Sequence, residues 1–511
     1  MTRTPAAGRR RRQDARPTGL TVRQLPWAQY ANPYEPMRVL SDDQIEDIHR
    51  ASLRVLKETG VEVMDPEACR LLAEAGCDVN HETGQVRFEA DFIESKIALA
   101  PPTWTLRARN PERTVKVGGR NMIFTPVGGP AFMSTLDTVR RRGTHAEAKD
   151  FIRLTQHLNI LHKAGSGFVP HDLPAETRGL DMAYDHIVLS DKPLGASALG
   201  RAGAIRSMEM AAIAFGESMD AFAKHTSTAG VVNMNSPLRL DKEMSQGLIA
   251  LARHNQAVIF TPFTLSGAMC PVSLEGALVQ QNAEAIMGIA LIQTVAPGAP
   301  CLYGAFTSNV DMRTGAPAFG TPEYARTTIA SGQLIRRYNL PYRSSNTTAS
   351  NAPDAQAAYE SEMSLWGCVL GHVNWVNHAA GWLEGGLTAS FEKLILDAEM
   401  LQMKVEFMKQ FDTSEENLGV EAIAGVGPGG HFFGSPHTIA RYNSAFYEPM
   451  VSDWRNFENW SEDGGLTATQ RANAIWKQML KDYVQPPLDE SIREELEAYV
   501  AKGKEEIKKA A

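Results

Sequence analysis

Three stretches of this sequence indicate how the chain is built: residues 257–265 read AVIFTPFTL, residues 274–294 read LEGALVQQNAEAIMGIALIQT, and residues 301–307 read CLYGAFT. The first and third are short, apolar and rich in β-branched or aromatic residues, which is typical of strands that are buried on both faces of a sheet. The middle stretch has the length and pattern of a helix. A strand, a helix and another strand in this order indicate a parallel sheet.

The same unit of a short apolar stretch and a longer helical pattern occurs eight times between Ile123 and Met400. Eight such units predict an α/β fold, a (β/α)₈ TIM barrel. Barrel enzymes place their chemistry at the carboxyl ends of the strands, so the search for a site narrows to eight short segments. The predicted strand segments are Ile123–Thr125, Ile160–Val169, Pro193–Leu199, Phe222–Val232, Ala257–Leu265, Cys301–Thr307, Pro341–Asn346 and Val373–Trp382.

The segments on either side of the barrel complete the predicted organisation. Residues 1–35 are rich in Arg and Pro and are expected to form a disordered basic tail. Residues 36–120 are predicted to form an N-terminal α+β cap that opens with a capped helix, Ser41–Thr59. The barrel is assigned to residues 121–411, and residues 412–511 to a C-terminal extension with a Gly-rich loop and helices.

Composition and charge exclude several classes of protein. The net charge is −8, and the only basic cluster, Arg9–Arg12, lies at the N-terminus, so nucleic acid is not an expected partner. No apolar run approaches the roughly 20 residues that a bilayer requires, and no apolar signal region follows the arginines. We therefore expect a cytoplasmic protein with no membrane partner.

Metal binding and disulfide bonds are not predicted either. The five cysteines are scattered without a CxxC pair, and no HExxH or other Cys/His spacing forms a local zinc site. A zinc site assembled from distant barrel loops remains an alternative. No tightly bound cofactor is indicated.

Side chains suited to binding a small ligand follow several predicted strands. The eighth segment continues as NHAAGWLEGG (residues 377–386) and brings a His, an indole and a carboxylate together with glycines. Aromatic rings attract a quaternary ammonium through cation–π interactions, and a guanidinium can bind a carboxylate on the same ligand. The pattern therefore suits a ligand that is cationic and partly apolar, although each ring, and His378, could equally belong to the core. The substrate-binding candidates are Phe263, Tyr303, Phe306, Arg343 and Trp382.

The Gly-rich stretch at residues 425–434 reads GVGPGGHFFG, and we do not expect it to bind a nucleotide. It lacks the Lys-Ser/Thr pair of a phosphate-binding loop, and it follows a helix rather than a strand. A flexible lid or a surface that meets a partner is the expected role.

Taken together, these segments resemble the trimethylamine methyltransferase family, which comprises corrinoid-dependent (β/α)₈ enzymes with and without pyrrolysine. The resemblance extends from about Leu40 to the C-terminal region and is specific for the family rather than for the substrate. The matching residues are Tyr303, Gly304, Asp311, Met312, Arg313, Gly315, Gly320, Pro322, Glu323, Asp354, Gln356, His378, Gly381, Leu383, Glu384, Gly427, Pro428, Gly429, Gly430, His431, Gly434, His437, Thr438, Pro449 and Asp453.

The resemblance implies transfer of a methyl group from an amine to Co(I) of a corrinoid (cobalamin) carried by a separate protein. The absence of a DxHxxG motif in this chain fits a corrinoid that is held by a partner. The region of Asp354–Gln356 is similar to the one that holds pyrrolysine in the trimethylamine enzymes, and here it has ordinary residues only. The chain therefore resembles the pyrrolysine-free glycine betaine:corrinoid methyltransferases, and trimethylamine is not the expected substrate.

The chemistry of quaternary amines supports this expectation. A quaternary ammonium leaves as a neutral tertiary amine, so Co(I) can attack its methyl group by in-line displacement without an acid, and the site mainly has to position the reactants. The alternatives are a corrinoid methyltransferase for carnitine, proline betaine or a tertiary amine, and a non-catalytic osmolyte-binding barrel. A homo-oligomer is expected for a barrel of this size.

Two departures from the family pattern lead to hypotheses about individual residues. Arg343 stands where relatives have small residues, and Ala379 stands where relatives have Asp. We expect Arg343 to pair with a substrate carboxylate while aromatic rings enclose the ammonium. His378 and Glu384 are the predicted catalytic residues, and Gly429, Gly430 and His431 are predicted to contact the corrinoid protein.

Overall fold

The computed structural model describes residues 22–510. The first part of this range forms an N-terminal α+β layer. Its first long helix begins after Ser41, whose hydroxyl accepts a hydrogen bond from the Gln44 backbone N–H while the Gln44 side chain accepts one from the Ser41 N–H. This capping box confirms the predicted helix. The elements of the layer are β1 (Tyr30–Ala31), α1 (Asp42–Glu58), β2 (Val61–Val63), α2 (Pro66–Glu74), β3 (Asp78–Asn80), β4 (Gln85–Arg87), α3 (Ala90–Ile97), β5 (Thr103–Leu106), the 3₁₀ turn Pro111–Arg113 and β6 (Val115–Gly118).

Residues 22–35 pack against the rest of the protein. The Leu25 N–H donates to Gln402 Oε1 at 2.7 Å, and the Asn32 amide donates to the Val369 carbonyl at 2.8 Å. Tyr30 pairs with Met122 as an added antiparallel strand. The prediction of a disordered tail is wrong for these residues, because their backbone and side chains find hydrogen-bond partners in the body of the protein. Residues 1–21 of that tail lie outside the described residues.

The central part of the chain alternates strands and helices in the predicted manner. Its elements are β7 (Asn121–Pro126), β8 (Phe132–Thr135), β9 (Thr138–Arg141), α4 (His145–His157), α5 (Arg178–Leu189), β10 (Leu194–Gly195), α6 (Gly200–Ala214), α7 (Met219–Phe222), β11 (Thr228–Asn233), β12 (Arg239–Leu240), α8 (Lys242–Arg253), β13 (Ala257–Thr261), β14 (Thr264–Ser266), α9 (Leu274–Val295), β15 (Cys301–Gly304), β16 (Thr307–Val310), β17 (Pro317–Ala318), α10 (Pro322–Arg337), β18 (Tyr342–Ser345), α11 (Ala355–Gly371), β19 (Trp375–Ala380), β20 (Trp382–Leu383), the 3₁₀ turn Glu384–Gly386, β21 (Thr388–Ser390) and α12 (Phe391–Phe407).

The main sheet is curled and mostly parallel. Its strand order is β1-β7-β19-β18-β15-β13-β11-β10, and every neighbouring pair except β1 with β7 is parallel. Trp375 on β19, the last strand of the sheet along the chain, is in register with Ile123 on β7, the first parallel one. The sheet therefore bends until its sequence-distant strands lie side by side, and the predicted α/β class is confirmed.

The second predicted strand, Ile160–Val169, is not a strand in the structure, so the prediction is wrong for this segment. The segment has no strand pairing, although the His162 N–H donates to the Phe124 carbonyl of β7 at 2.9 Å. Gly167 adopts φ +76°, and a Cβ at this position would lie 2.8 Å from the Phe151 ring. These bends interrupt an extended conformation. The described sheet is consequently open between β7 and β10.

The amino ends of the parallel strands are closed by apolar side chains. Inside the curl, Ile123, Ile259, Leu302 and Trp375 pack together against the β5–β6 hairpin, which contributes Leu106, Val115 and Val117. A ligand site inside the sheet is therefore confined to the opposite end, where the strands finish.

The last two helices of the C-terminal extension pack on helices that flank the sheet, namely α4, α5, α6 and α12. The Trp476 ring packs 5.1 Å from the Phe391 ring, and the Trp476 Nε1–H donates to Glu392 at 2.8 Å. In the described range 22–510, no helix has both the length and the apolarity needed to cross a membrane. The elements are α13 (Glu415–Leu418), α14 (Val420–Val426), α15 (Pro436–Arg441), α16 (Phe457–Glu462), α17 (Ala468–Lys481) and α18 (Glu490–Ala510).

Candidate active site

Buried polar atoms without partners gather at the carboxyl ends of three parallel strands. Polar atoms of this kind are nearly always hydrogen-bonded in folded proteins, and exceptions concentrate at functional sites. Together they mark a place where a ligand would complete the hydrogen bonding. The atoms are Thr261 Oγ1 on β13, Arg343 Nε and Nη1 and Ser345 Oγ on β18, Asn346 Oδ1 directly after β18, and His378 Nδ1 on β19.

Thr261, Gly304 and Arg343 form one row across adjacent strands. Gly304 is in register with Arg343, and the neighbouring Phe260–Tyr303 pair places Thr261 beside Gly304. A Cβ on Gly304 would lie 2.1 Å from Thr261 Oγ1. The missing side chain therefore lets the Thr261 hydroxyl lie close against the backbone of β15, in the row that Arg343 continues.

Arg343 is the central charge of this site. The residue is 3% exposed, and no acidic side chain in the described residues forms an ion pair with it. Burial lowers the pKa of Arg343 to about 10, so its guanidinium stays charged at neutral pH. A buried charge without a counter-ion is costly, and a bound anion would relieve that cost.

His378 lies beside Arg343 as a neutral ring. Burial, and then the charge of Arg343, hold the pKa of His378 well below its usual 6.5. Thr125 Oγ1 donates to Asn377 Oδ1 at 2.7 Å, and the Asn377 amide nitrogen lies 3.2 Å from His378 Nε2. An amide N–H can only donate, so Nε2 accepts and Nδ1 carries the proton. The unpartnered Nδ1–H is therefore a donor available to a ligand.

The backbone presents His378 in an uncommon conformation. Its φ is +51°, in the left-handed region that a non-glycine residue rarely adopts. Such strain persists only where the surrounding structure holds it, and it clusters at functional sites. The ring centre lies 4.5 Å from that of Trp382, so the turn brings the imidazole against the indole.

Aromatic rings form a wall next to these polar groups. The Phe306 ring centre lies 4.9 Å from that of Phe263 and 6.4 Å from that of Trp382, and Trp382 fixes its indole by donating from Nε1 to the Thr348 carbonyl at 3.0 Å. The structure adds Phe319, whose ring lies 5.5 Å from Phe306 and 6.0 Å from Trp382. Sequence reasoning missed Phe319, because the residue follows a short excursion, β16–β17, rather than a strand of the main sheet.

A buried ion pair supports the end of β19. Asp397 Oδ2 accepts from the Gly381 N–H at 2.8 Å, and the Lys393 ammonium donates to Asp397 and, at 2.7 Å, to Ser361. Both charged side chains are fully buried. Lys393 and Asp397, opposite charges four residues apart on one helix, were the sequence signal for this support, which sequence reasoning missed.

The Tyr303 side chain lies outside this cluster, and its role in substrate binding stays a prediction. Its hydroxyl donates to Asn282 Oδ1 at 2.9 Å, and its ring stacks on Tyr338 at 6.4 Å between the sheet and helices α9 and α10. Side chains alternate between the two faces of a strand, so the inward positions of β15 are Leu302 and Gly304 instead.

Glu384 is bound to neighbours at the rim. One of its oxygens accepts from Arg140 Nε at 2.5 Å and from Thr388 Oγ1 at 2.5 Å. These contacts join the end of β19 to the β8–β9 hairpin. The structure therefore assigns this carboxylate a local ion pair, and the catalytic role of Glu384 stays a prediction.

The predicted corrinoid-contact residues are not part of this cluster. Gly429, Gly430 and His431 are exposed in the loop between α14 and α15. Within residues 22–510, no group of three or more His, Cys, Asp and Glu side chains is arranged to hold a metal ion.

Comparison with known proteins identifies the family of the chain. The model of the trimethylamine methyltransferase (MTTB) family matches residues 6–508. The chain belongs to this family. A protein named glycine betaine methyltransferase, from Desulfitobacterium hafniense, is 38% identical over 470 residues, which cover 91% of this chain and 97% of the relative.

Relatives named for trimethylamine are less similar. The trimethylamine methyltransferase MttB of Desulfitobacterium hafniense is 28% identical and covers 91% of this chain and 94% of its own length. MttB2 of Methanosarcina mazei is 29% identical, with 91% and 95% covered. A solved structure, the monomethylamine methyltransferase of Methanosarcina barkeri, covers 88% of each chain with 11% identity and a TM-score of 0.48.

Proposed function

We propose that this family member transfers a methyl group from a betaine to Co(I) of a corrinoid held by a separate protein. Glycine betaine is the leading substrate. The observation that carries the proposal is Arg343, a buried, charged guanidinium with two unpartnered N–H groups beside an aromatic wall. A methylated ammonium fits the rings, and a carboxylate on the same molecule supplies the missing anion.

The side chains then have separate tasks in binding. Arg343, assisted by the His378 Nδ1–H, binds the substrate carboxylate. Trp382, Phe306 and Phe263 surround the methylated nitrogen, and Phe319 supports their rings from behind. The relative named for glycine betaine is 38% identical to this chain, whereas one named for trimethylamine is 28% identical. This difference in identity supports a betaine as the substrate.

The reaction needs little from the protein besides positioning. The bond that breaks joins the methyl carbon to nitrogen, and its electron pair stays on nitrogen, which leaves as a neutral dimethylamino group. The new bond joins the methyl carbon to cobalt, whose two electrons supply it. Neither step moves a proton, which agrees with a site that holds a neutral His378.

The corrinoid protein is expected to approach the end of the sheet at which the strands finish. Phe263, Asn377 and His378 are partly exposed there, so the cluster reaches the protein surface. The corrinoid supplies the cobalt nucleophile, and this chain supplies the oriented methyl donor. Contact of Gly429, Gly430 and His431 with that partner remains a prediction.

We also propose that residues 160–169 occupy the place of a second strand and close the sheet into a (β/α)₈ barrel. The support is the hydrogen bond from the His162 N–H to Phe124 of β7, and the one from the Phe124 N–H to His162 Nδ1 at 2.9 Å. Both bonds join the segment to β7, at one side of the gap in the described sheet.

Methyl transfer tests the function directly. Purified protein is mixed with chemically reduced cobalamin and one of glycine betaine, carnitine, proline betaine, choline or trimethylamine, and methylcobalamin is followed by absorbance. We expect turnover with a betaine and none with trimethylamine. Turnover with trimethylamine alone, or binding of betaines without transfer to cobalamin or to a cognate corrinoid protein, would refute the proposal.

A further inference from the structure

A protruding arm, residues 411–446, carries large apolar side chains that the rest of the chain does not cover. Ser435 is its only buried residue in the described structure. Phe411, Phe433, Tyr442 and Phe446 are 97%, 88%, 80% and 87% exposed. A soluble monomer rarely exposes this many large apolar side chains in one segment, and we take the segment as an interaction site.

The arm is also isolated in its polar contacts. Its ion pair joins Arg441 to Glu416, and the His437 ring lies 3.2 Å from the Glu416 carbonyl. Every hydrogen bond recorded for residues 411–446 in the described part of the chain has both partners within the arm. Helices as short as α13, α14 and α15 are not stable alone in water, so a partner surface has to hold them.

The same chain has a second uncovered apolar surface, next to the root of the arm. Tyr359, Met363, Trp366 and Leu370 recur on one face of α11, and Met403 and Phe407 continue this surface on α12. The Trp366 ring lies 4.8 Å from the Phe407 ring, so the two helices share one apolar stripe. Five of these six residues are exposed, and Trp366 is half-buried.

We propose that the arm docks on the apolar stripe of a second copy of this chain. A two-fold symmetric pair covers both arms and both stripes at once, because each contact occurs twice. An aromatic side chain buries roughly 150–250 Å². Four of them in the arm therefore supply much of the roughly 800 Å² per partner that a stable interface buries.

The test is the solution mass of the full chain, measured by light scattering after size-exclusion chromatography at about 10 µM. We expect twice the mass of one chain, or an even multiple of it. The arm variant Phe433→Glu/Phe446→Glu and the stripe variant Met363→Glu should each halve that mass. Val484→Glu, an exposed apolar position outside both surfaces, is the matched control and should not change it. Circular dichroism establishes that each variant is folded.

Cross-linking of a mixture of ¹⁴N- and ¹⁵N-labelled chains then identifies the contact. Mixed-isotope links between residues 411–446 and α11 or α12 are the expected result. A monomeric wild type, folded variants that keep the wild-type mass, or links found only within one isotope would overturn the proposal. Arm variants that stay dimeric but no longer bind a corrinoid protein would also overturn it, in favour of that partner.

Discussion

The guanidinium carbon of Arg343 lies 5.7 Å from the centre of the Phe306 ring. This contact joins the only unpaired cation of the buried cluster to the aromatic wall that Phe263 and Trp382 extend. A simple cation would be repelled by Arg343, and a simple anion would gain little from the rings. A zwitterion with a methylated ammonium and a carboxylate satisfies both.

Replacing Trp382 should weaken the binding of a cation more than that of its neutral analogue. Glycine betaine and 3,3-dimethylbutanoate have the same shape, but only the first carries the ammonium. In Trp382→Leu, calorimetry should show the preference for glycine betaine reduced by about 2- to 30-fold, as expected for the loss of about 0.5–2 kcal/mol of cation–π attraction. Equal losses for both ligands would show that the indole contributes packing only.

His378 should not produce a titration step in the pH profile of methyl transfer. Its pKa lies well below 6.5, because burial and the charge of Arg343 both disfavour the imidazolium. Between pH 6 and 8, kcat/KM should therefore lack an inflection from this residue. His378→Asn, which tolerates the left-handed backbone, should keep the shape of the profile while the apparent KM for substrate rises. An inflection near pH 6.5 that disappears in His378→Asn would contradict this assignment.

Adding one methyl group at Gly304 should damage the site. The new Cβ would lie 2.1 Å from Thr261 Oγ1 and 2.7 Å from the Phe260 carbonyl, so two strands would have to separate. We expect Gly304→Ala to lower the free energy of unfolding by about 1–3 kcal/mol and to reduce substrate affinity. Gly179→Ala is the control, since a Cβ there meets no atom within 4 Å. Wild-type stability and affinity in Gly304→Ala would show that the row is less tightly packed than described.

Acid should destabilise the fold partly through His162. Burial lowers its pKa to about 4. His162 has a pKa of about 6.5 in the unfolded chain and of about 4 in the folded protein. Its contribution to the stability of the fold is therefore complete above pH 6.5 and is lost as the pH falls towards 4. Urea unfolding at pH 7.5 and 5.0 should show a loss of stability about 2 kcal/mol larger in the wild type than in His162→Gln. Equal losses would exclude His162 as a source of acid sensitivity.

The sequence predicted the strand and helix alternation well because buried parallel strands are continuous apolar runs. It failed at residues 160–169, where an apolar composition resembles a strand but Gly167 bends the backbone to φ +76°. A pattern of apolar residues does not report the backbone conformation that packing against Phe151 imposes.

The site was predicted in part for a related reason. Arg343, His378, Trp382, Phe306 and Phe263 lie together because the ends of parallel strands meet at one edge of the sheet. Tyr303 does not join them, since a continuous apolar strand gives no sign of which residues face inward. The rim contacts of Glu384 depend on a hairpin more than 240 positions away along the chain, and local sequence carries no information about them.

The central claim is that Arg343 binds a substrate carboxylate. Ligand binding to the wild type and to an Arg343 variant tests this claim most directly. Calorimetry compares glycine betaine with choline, which keeps the quaternary ammonium and lacks the carboxylate, in the wild type and in Arg343→Met. Arg50→Met, on the exposed face of α1, is the control. The wild type and control should prefer glycine betaine by roughly 10- to 100-fold, and Arg343→Met should lose that preference. The same preference in Arg343→Met as in the wild type would contradict the account.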